Sequence, residues 1–108
     1  MKLKNGINID KIAIVEDLKK ITNQIYKLLP NREEHIDWQT PLTTVIEELS
    51  GMDMLLEESH DILFPLLCKL QGLFPLIAEE DFFLYRRTIF ECLNLVASLK
   101  ERVLAWQD

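Results

Sequence analysis

The sequence has little cysteine and no long uninterrupted apolar run. Its two cysteines, Cys68 and Cys92, form neither a Cys-x-x-Cys pair nor a Cys/His metal spacing, which leaves no zinc-type site to propose. The most apolar region, Ile62 to Ala78, is broken by Pro65, Lys69, Gln71, Gly72 and Pro75. It falls short of the ~20 clean residues a membrane span needs, so it is expected in a protein core. The opening Met1-Lys2-Leu3-Lys4-Asn5 is followed by no apolar stretch of signal-peptide length. A reducing cytoplasm with free, buried thiols is the expected setting, and a disulfide joining two neighbouring helices is the alternative the sequence leaves open. Ser50, Ser59 and Ser98 lie in no Gly-x-Ser-x-Gly context, and no Gly-rich loop could cradle a phosphate. Serine-hydrolase and P-loop nucleotide chemistry drop out.

What is present is an ordinary globular composition of 48% hydrophobic and 28% charged residues. At 108 residues the chain fits one domain, 1–108, able to bury a core without disulfide or metal staples, with 1–8 as a loose N-terminal arm. Acidic residues outnumber basic ones, 18 to 12, for a net charge of -6. That charge repels a phosphate backbone unless basic residues segregate on one face. The basic clusters (Lys2, Lys4 and Lys11; Lys19 and Lys20; Arg86 and Arg87) are short and read as solvated helix faces, so nucleic acid is not an expected partner.

The apolar periodicity is helical throughout. Ile14, Leu18, Ile21, Ile25 and Leu28 recur at steps of four and three, marking one face of a first helix capped by Asp10 and ended by Pro30. A polar loop follows, and Thr40-Pro41 is a start signal: the hydroxyl caps, and proline in the first turn loses no hydrogen bond. Leu42, Val45, Leu49, Met52 and Leu56, widened by Ile46, then define a second inner face. Gly51 falls in mid-pattern, either for a close helix crossing or by plain tolerance. A break or bend is expected between Glu58 and Pro65, and Gly72 and Pro75 end the third helix. Leu63-Phe64-Pro65-Leu66-Leu67 is echoed by Leu73-Phe74-Pro75-Leu76-Ile77, which suggests two proline-started helical turns. Asp81 is the expected cap of a last helix running from Phe82 toward Trp106. One side of it carries Phe83, Phe90, Leu93, Ala97 and Leu104, broadened by Ile89, Val96, Leu99 and Val103. The predicted fold is all-α: an antiparallel four-helix bundle whose third helix is short and bent by proline.

Two acidic groups could carry chemistry. Glu57, Glu58 and Asp61 share a spacing with Glu33, Glu34 and Asp37, and two such groups facing each other could hold Mg²⁺ through carboxylate oxygens. Glu57-Glu58-Ser59-His60-Asp61-Ile62-Leu63-Phe64 resembles the second acidic motif of the all-α nucleotide pyrophosphohydrolases of the MazG type, together with its apolar continuation. The resemblance implies a Mg²⁺-dependent hydrolase with Glu57, Glu58 and Asp61 as metal ligands. It covers under a third of the chain. The first motif departs from the family pattern: Glu33-Glu34-His35-Ile36-Asp37 ends in aspartate within a loop, and Glu47-Glu48-Leu49-Ser50-Gly51 ends in glycine. His35 and His60 have no cysteine nearby and read as surface histidines.

No constellation otherwise calls for catalysis or a cofactor, which favours a protein-interaction module such as an adaptor, a chaperone or an inhibitor of immunity type. Its partner would be another protein or a second copy of itself, with no membrane involved. Phe64, Phe74, Phe82, Phe83, Tyr85 and Phe90 crowd the turn before the last helix, where a core is their ordinary home. Phe82, Phe83 and Tyr85 cannot all face inward, however, and a loop tryptophan, Trp38, and a terminal one, Trp106, are harder to bury than mid-helix leucines and are interface candidates too. Trp38, Phe82, Phe83 and Tyr85 are therefore the expected anchors, with Glu79 and Glu80 as acidic rim charges. A purely structural subunit of a larger complex is the third reading.

Overall fold

The computed structural model describes residues 11–29, 37–56, 58–78 and 82–105, and these are helical with short links. Helix α1 spans Lys11–Tyr26, α2 Gln39–Leu55, α3 His60–Gln71, α4 Leu73–Ala78 and α5 Phe82–Leu104. The four longer helices form the bundle, and α4 is a short piece that carries the chain from α3 toward α5. The expected cap Asp10, Pro30, Asp81 and the arm 1–8 lie outside the described residues.

The directions of the helices follow from bonds between their ends. Tyr85, in the first turn of α5, donates its hydroxyl proton to the Leu28 carbonyl just beyond α1, so α1 and α5 run antiparallel. Asp61 at the start of α3 pairs with Arg102 near the end of α5, and Lys69 near the end of α3 pairs with Glu91 further back along it. Those two bridges make α3 and α5 antiparallel as well. A tight link from Leu56 to Ser59 turns α2 into α3, and Asp53 reaches across it to His60. The order around the bundle is α1, α2, α3, α5, alternating up and down.

One core joins the helices. The predicted inner faces of the first two are inside: Leu18, Ile21, Ile25 and Leu28 of α1, and Leu42, Val45, Leu49, Met52 and Leu56 of α2 and its end. Ile14 and Ile46 pack at its edge. From α3 come Ile62, Leu63, Leu66 and Leu70, followed by Leu73 of α4. Repeats at three and four residues bring these side chains onto single stripes, and their removal from water is the main force holding the bundle together.

Several local expectations are corrected. Helix α2 begins at Gln39, one residue before the proposed cap, because the Asp37 carboxylate accepts the Gln39 and Thr40 backbone N–H groups at 3.1 and 3.3 Å. One carboxylate oxygen satisfies two of the free donors at this helix start, and Pro41 still falls in the first turn, where its missing N–H costs nothing. A methyl group added at Gly51 would meet nothing within 4 Å, so no close crossing requires the glycine. The chain breaks just before His60, at the near edge of the span from Glu58 to Pro65 where a break or bend is expected, and Pro65 lies inside α3 instead of starting a turn. Pro75 does fall in the first turn of α4. Gly72 follows α3 as expected, yet its φ of -67° is ordinary right-handed backbone, which lets the chain pass almost directly into α4.

The largest correction concerns α5. Its buried side is Tyr85, Ile89, Cys92, Leu93, Val96, Leu99 and Val103. Of the wide side read as inner, Leu93, Ile89, Val96, Leu99 and Val103 are buried, whereas Phe83, Phe90, Ala97 and Leu104 are exposed. Both sets are apolar, but the first tracks the helical repeat of 3.6 and stays on one line. The second recurs every seventh residue and runs along the flank.

Candidate interaction surface

The proposed anchors separate in space. Tyr85 is only 2% exposed, with its hydroxyl satisfied by the Leu28 carbonyl at 2.9 Å, so it is a core residue and not a surface anchor. The reason is position: in the first turn of α5, Tyr85 lies on the same line as Ile89 and Cys92. Trp38 is half-buried and packs against Phe74, with ring centroids 5.4 Å apart and planes tilted by 48°. It closes the bundle end more than it projects from it. Phe82 and Phe83 do face outward, at 43% and 78% exposure. Glu79, Glu80 and Trp106 lie outside the described residues.

Phe90 and Leu104 continue the outward apolar line at 50% and 53% exposure, with the small Ala97 between them. Phe90 is thus a surface residue that the sequence reading assigned to the core, although its spacing of seven from both Phe83 and Ala97 is the signal that could have revealed it. Neighbouring α1 adds Ile12 and Tyr26, both exposed. On α3, Phe64 is also exposed and packs near the His60 ring, centroids 5.4 Å apart.

Acidic side chains stand elsewhere on the bundle. Asp17 and Glu48 stand on the rim of a shallow groove of about 290 Å³ between α1 and α2, floored by Ile14, Met52, Leu55 and Leu56 beside Gly51. Glu47 and Glu58 are exposed as well.

The acidic group proposed as metal ligands has other partners. Arg102 holds Asp61 with two hydrogen bonds, Nη1 to Oδ1 at 2.6 Å and Nη2 to Oδ2 at 3.0 Å, and its Nη1 also donates to the Glu58 carbonyl. The guanidinium holds the Asp61 carboxyl below its ordinary range. Asp37 is lowered too, by the hydroxyl and then the backbone N–H of Thr40. His60 Nδ1 lies 2.8 Å from Asp53 Oδ1, and since a carboxylate can only accept, the ring donates from Nδ1. Among the described residues no group of three or more metal-ligating side chains converges. Glu57, Glu33, Glu34 and His35 lie outside them.

Both thiols are free. Cys92 is buried as expected, and desolvation pushes its thiol up to about 12. Cys68 is exposed, contrary to expectation, because it lies on the outer side of α3 while Leu66 and Leu70 take the inner one. No described helix is long and apolar enough to cross a membrane. Compared with protein-family models, curated proteins and solved structures, the chain matches none.

Proposed function

We propose that this chain is a non-catalytic protein-interaction module, of the adaptor, chaperone or inhibitor kind, that works through the outward aromatic line of α5 on an otherwise acidic surface. The observation supporting this reading is the 78% exposure of Phe83. A large aromatic side chain held in water on a well-packed helix gives nothing to the core, and aromatic residues are frequent anchors of protein interfaces. Phe82 and Phe90 extend the patch, and the acidic residues around the bundle would steer a basic partner toward it. Two free thiols, one of them exposed, fit a reducing cytoplasm.

The test compares wild type with Phe83→Asp as bait in lysate of the source organism. A protein retained stoichiometrically by the wild type and lost with the variant supports the reading, provided the variant's circular dichroism and melting temperature match the wild type. Identical retention by both baits removes this surface from consideration.

A further inference from the structure

The groove between α1 and α2 is a second apolar feature, away from the α5 line. Its floor is Ile14, Met52, Leu55 and Leu56, with Asp17 on the α1 wall and Glu48 on the α2 wall, and Gly51 lowers the α2 wall between Glu48 and Leu55. Leu55 is 49% exposed, an apolar side chain that the bundle leaves in water. Among the described residues no salt bridge engages Asp17 or Glu48. The groove continues past Lys20 to Gln24, whose Oε1 is buried with no donor bonded to it. Two carboxylates thus face one ammonium, and Lys20 pairs with neither. Ile14 stands with Leu55 and Leu56, and Gln24 with Glu48, so the groove begins at the end of the bundle where residue 11 enters α1.

The arm that precedes α1 matches this groove in pattern. It departs from the helical repeat: Leu3, Ile7 and Ile9 fall on odd positions, and Lys2, Lys4, Asn8 and Asp10 on even ones, with Asn5 and Gly6 between. In an extended chain successive side chains point to opposite sides, so such a segment has one mainly apolar side and one carrying both lysines. The arm matches the groove in length as well. When the chain reverses over residues 9 and 10 and returns along the groove at about 3.3 Å per residue, Ile7 comes about 3 Å past the level of Lys11, Gly6 about 7 Å and Lys4 about 13 Å. At about 1.5 Å per residue of helix, Ile14 lies about 4.5 Å along α1 and Asp17 about 9 Å. Ile7 therefore meets Ile14 and Leu55, and Lys4 arrives within a side chain's reach of Asp17 and Glu48. Gly6 passes Gly51, and since neither has a side chain, a single methyl at Gly51 is accommodated. A tether of a few residues gives an effective concentration in the millimolar range, so contacts too weak to join separate molecules suffice here.

We infer that residues 2–8 dock along the α1/α2 groove of their own chain, with Ile7 over Ile14 and Leu55 and with Lys4 between Asp17 and Glu48. The arm covers the apolar floor and supplies the positive charge that the two walls lack. The inference goes beyond the interaction reading, which concerns α5, and stands or falls apart from it.

The closing experiment is disulfide trapping in the full chain carrying Cys68→Ser, with the buried Cys92 kept. Gly6→Cys combined with Gly51→Cys should close to an intramolecular disulfide at least about tenfold faster than Gly6→Cys combined with Glu16→Cys. Glu16 is exposed at a similar level of α1 but lines neither part of the groove. Ile7→Asp should slow the closure at Gly51 by at least about tenfold, because it removes apolar burial. Lys4→Glu should slow it about threefold, and the pair Lys4→Glu/Glu48→Lys should recover the rate. A second readout needs no cysteine: in the otherwise unchanged chain, Ile7→Asp should move the amide NMR signals of Gly51 and Leu55 and leave that of Thr43 in place. Equal closure at positions 51 and 16, a rate indifferent to Ile7→Asp, or unmoved Gly51 and Leu55 signals overturns the inference and leaves the groove to another protein. Disulfide-linked dimers in place of closed monomers overturn it too, making a second copy's arm the occupant.

Discussion

The hydroxyl of Tyr85 reaches the main-chain carbonyl of Leu28 at 2.9 Å, tying the first turn of α5 to the exit of α1. Both residues are buried. Tyr85→Phe keeps the ring in the core and leaves that acceptor without its hydroxyl donor. The expected loss is about 1–3 kcal/mol in urea unfolding, with an unchanged m-value. An unchanged midpoint would mean that water or another donor replaces the hydroxyl.

That bond also marks the limit of what a sequence pattern discloses. The steps of three and four in α1 and α2 identify the buried residues because each helix has a single apolar stripe, so periodicity and packing agree. Helix α5 has two. From the sequence, Phe83 and Phe90 look as suited to a core as Ile89 and Val96, and the choice between them depends on where α1 and α3 lie. The same ambiguity makes Tyr85 look like a surface anchor. Its partner is a backbone carbonyl 57 residues away, and no local pattern encodes it. Asp61 is legible as an acidic position but not as a paired one, since Arg102 comes from the far end of the chain.

Gly51 offers a stabilising change. It lies inside α2, is exposed, and an added methyl would meet nothing within 4 Å. Glycine in a helix interior is unfavourable relative to alanine because it gives up more backbone freedom on folding. Gly51→Ala is expected to raise stability by up to about 1 kcal/mol in chemical denaturation. A destabilised variant would show that something occupies the groove beside Leu55 and Leu56.

The two thiols should react very differently. Cys68 is exposed, whereas Cys92 is buried and its thiol is held protonated far above neutral pH by desolvation. Since the thiolate is the nucleophile, Ellman's reagent at pH 8 should titrate one thiol promptly and the second only at the rate of unfolding. Cys68→Ser should abolish the fast phase. Two fast phases in the wild type would mean that α5 opens readily around Cys92.

Acid should loosen the bundle at two places. Asp61 and Asp37 are both held below the ordinary carboxylate range, the first chiefly by its hydrogen bonds to Arg102 and the second chiefly by the Thr40 hydroxyl. A depressed folded-state value means that the unfolded chain binds protons first as pH falls. The stabilisation is therefore fully present above the unfolded value near 4 and disappears as pH drops through the lower folded values. Urea midpoints measured from about pH 6 downward should fall below about pH 4, and Asp61→Asn should flatten that fall. Because Asp61 bridges the start of α3 to the end of α5, the same variant should lower the midpoint at pH 6 while leaving the low-pH limit unchanged. A pH profile identical to wild type would show that the Arg102 clamp adds nothing to stability and that the acid sensitivity resides in the cap at Asp37.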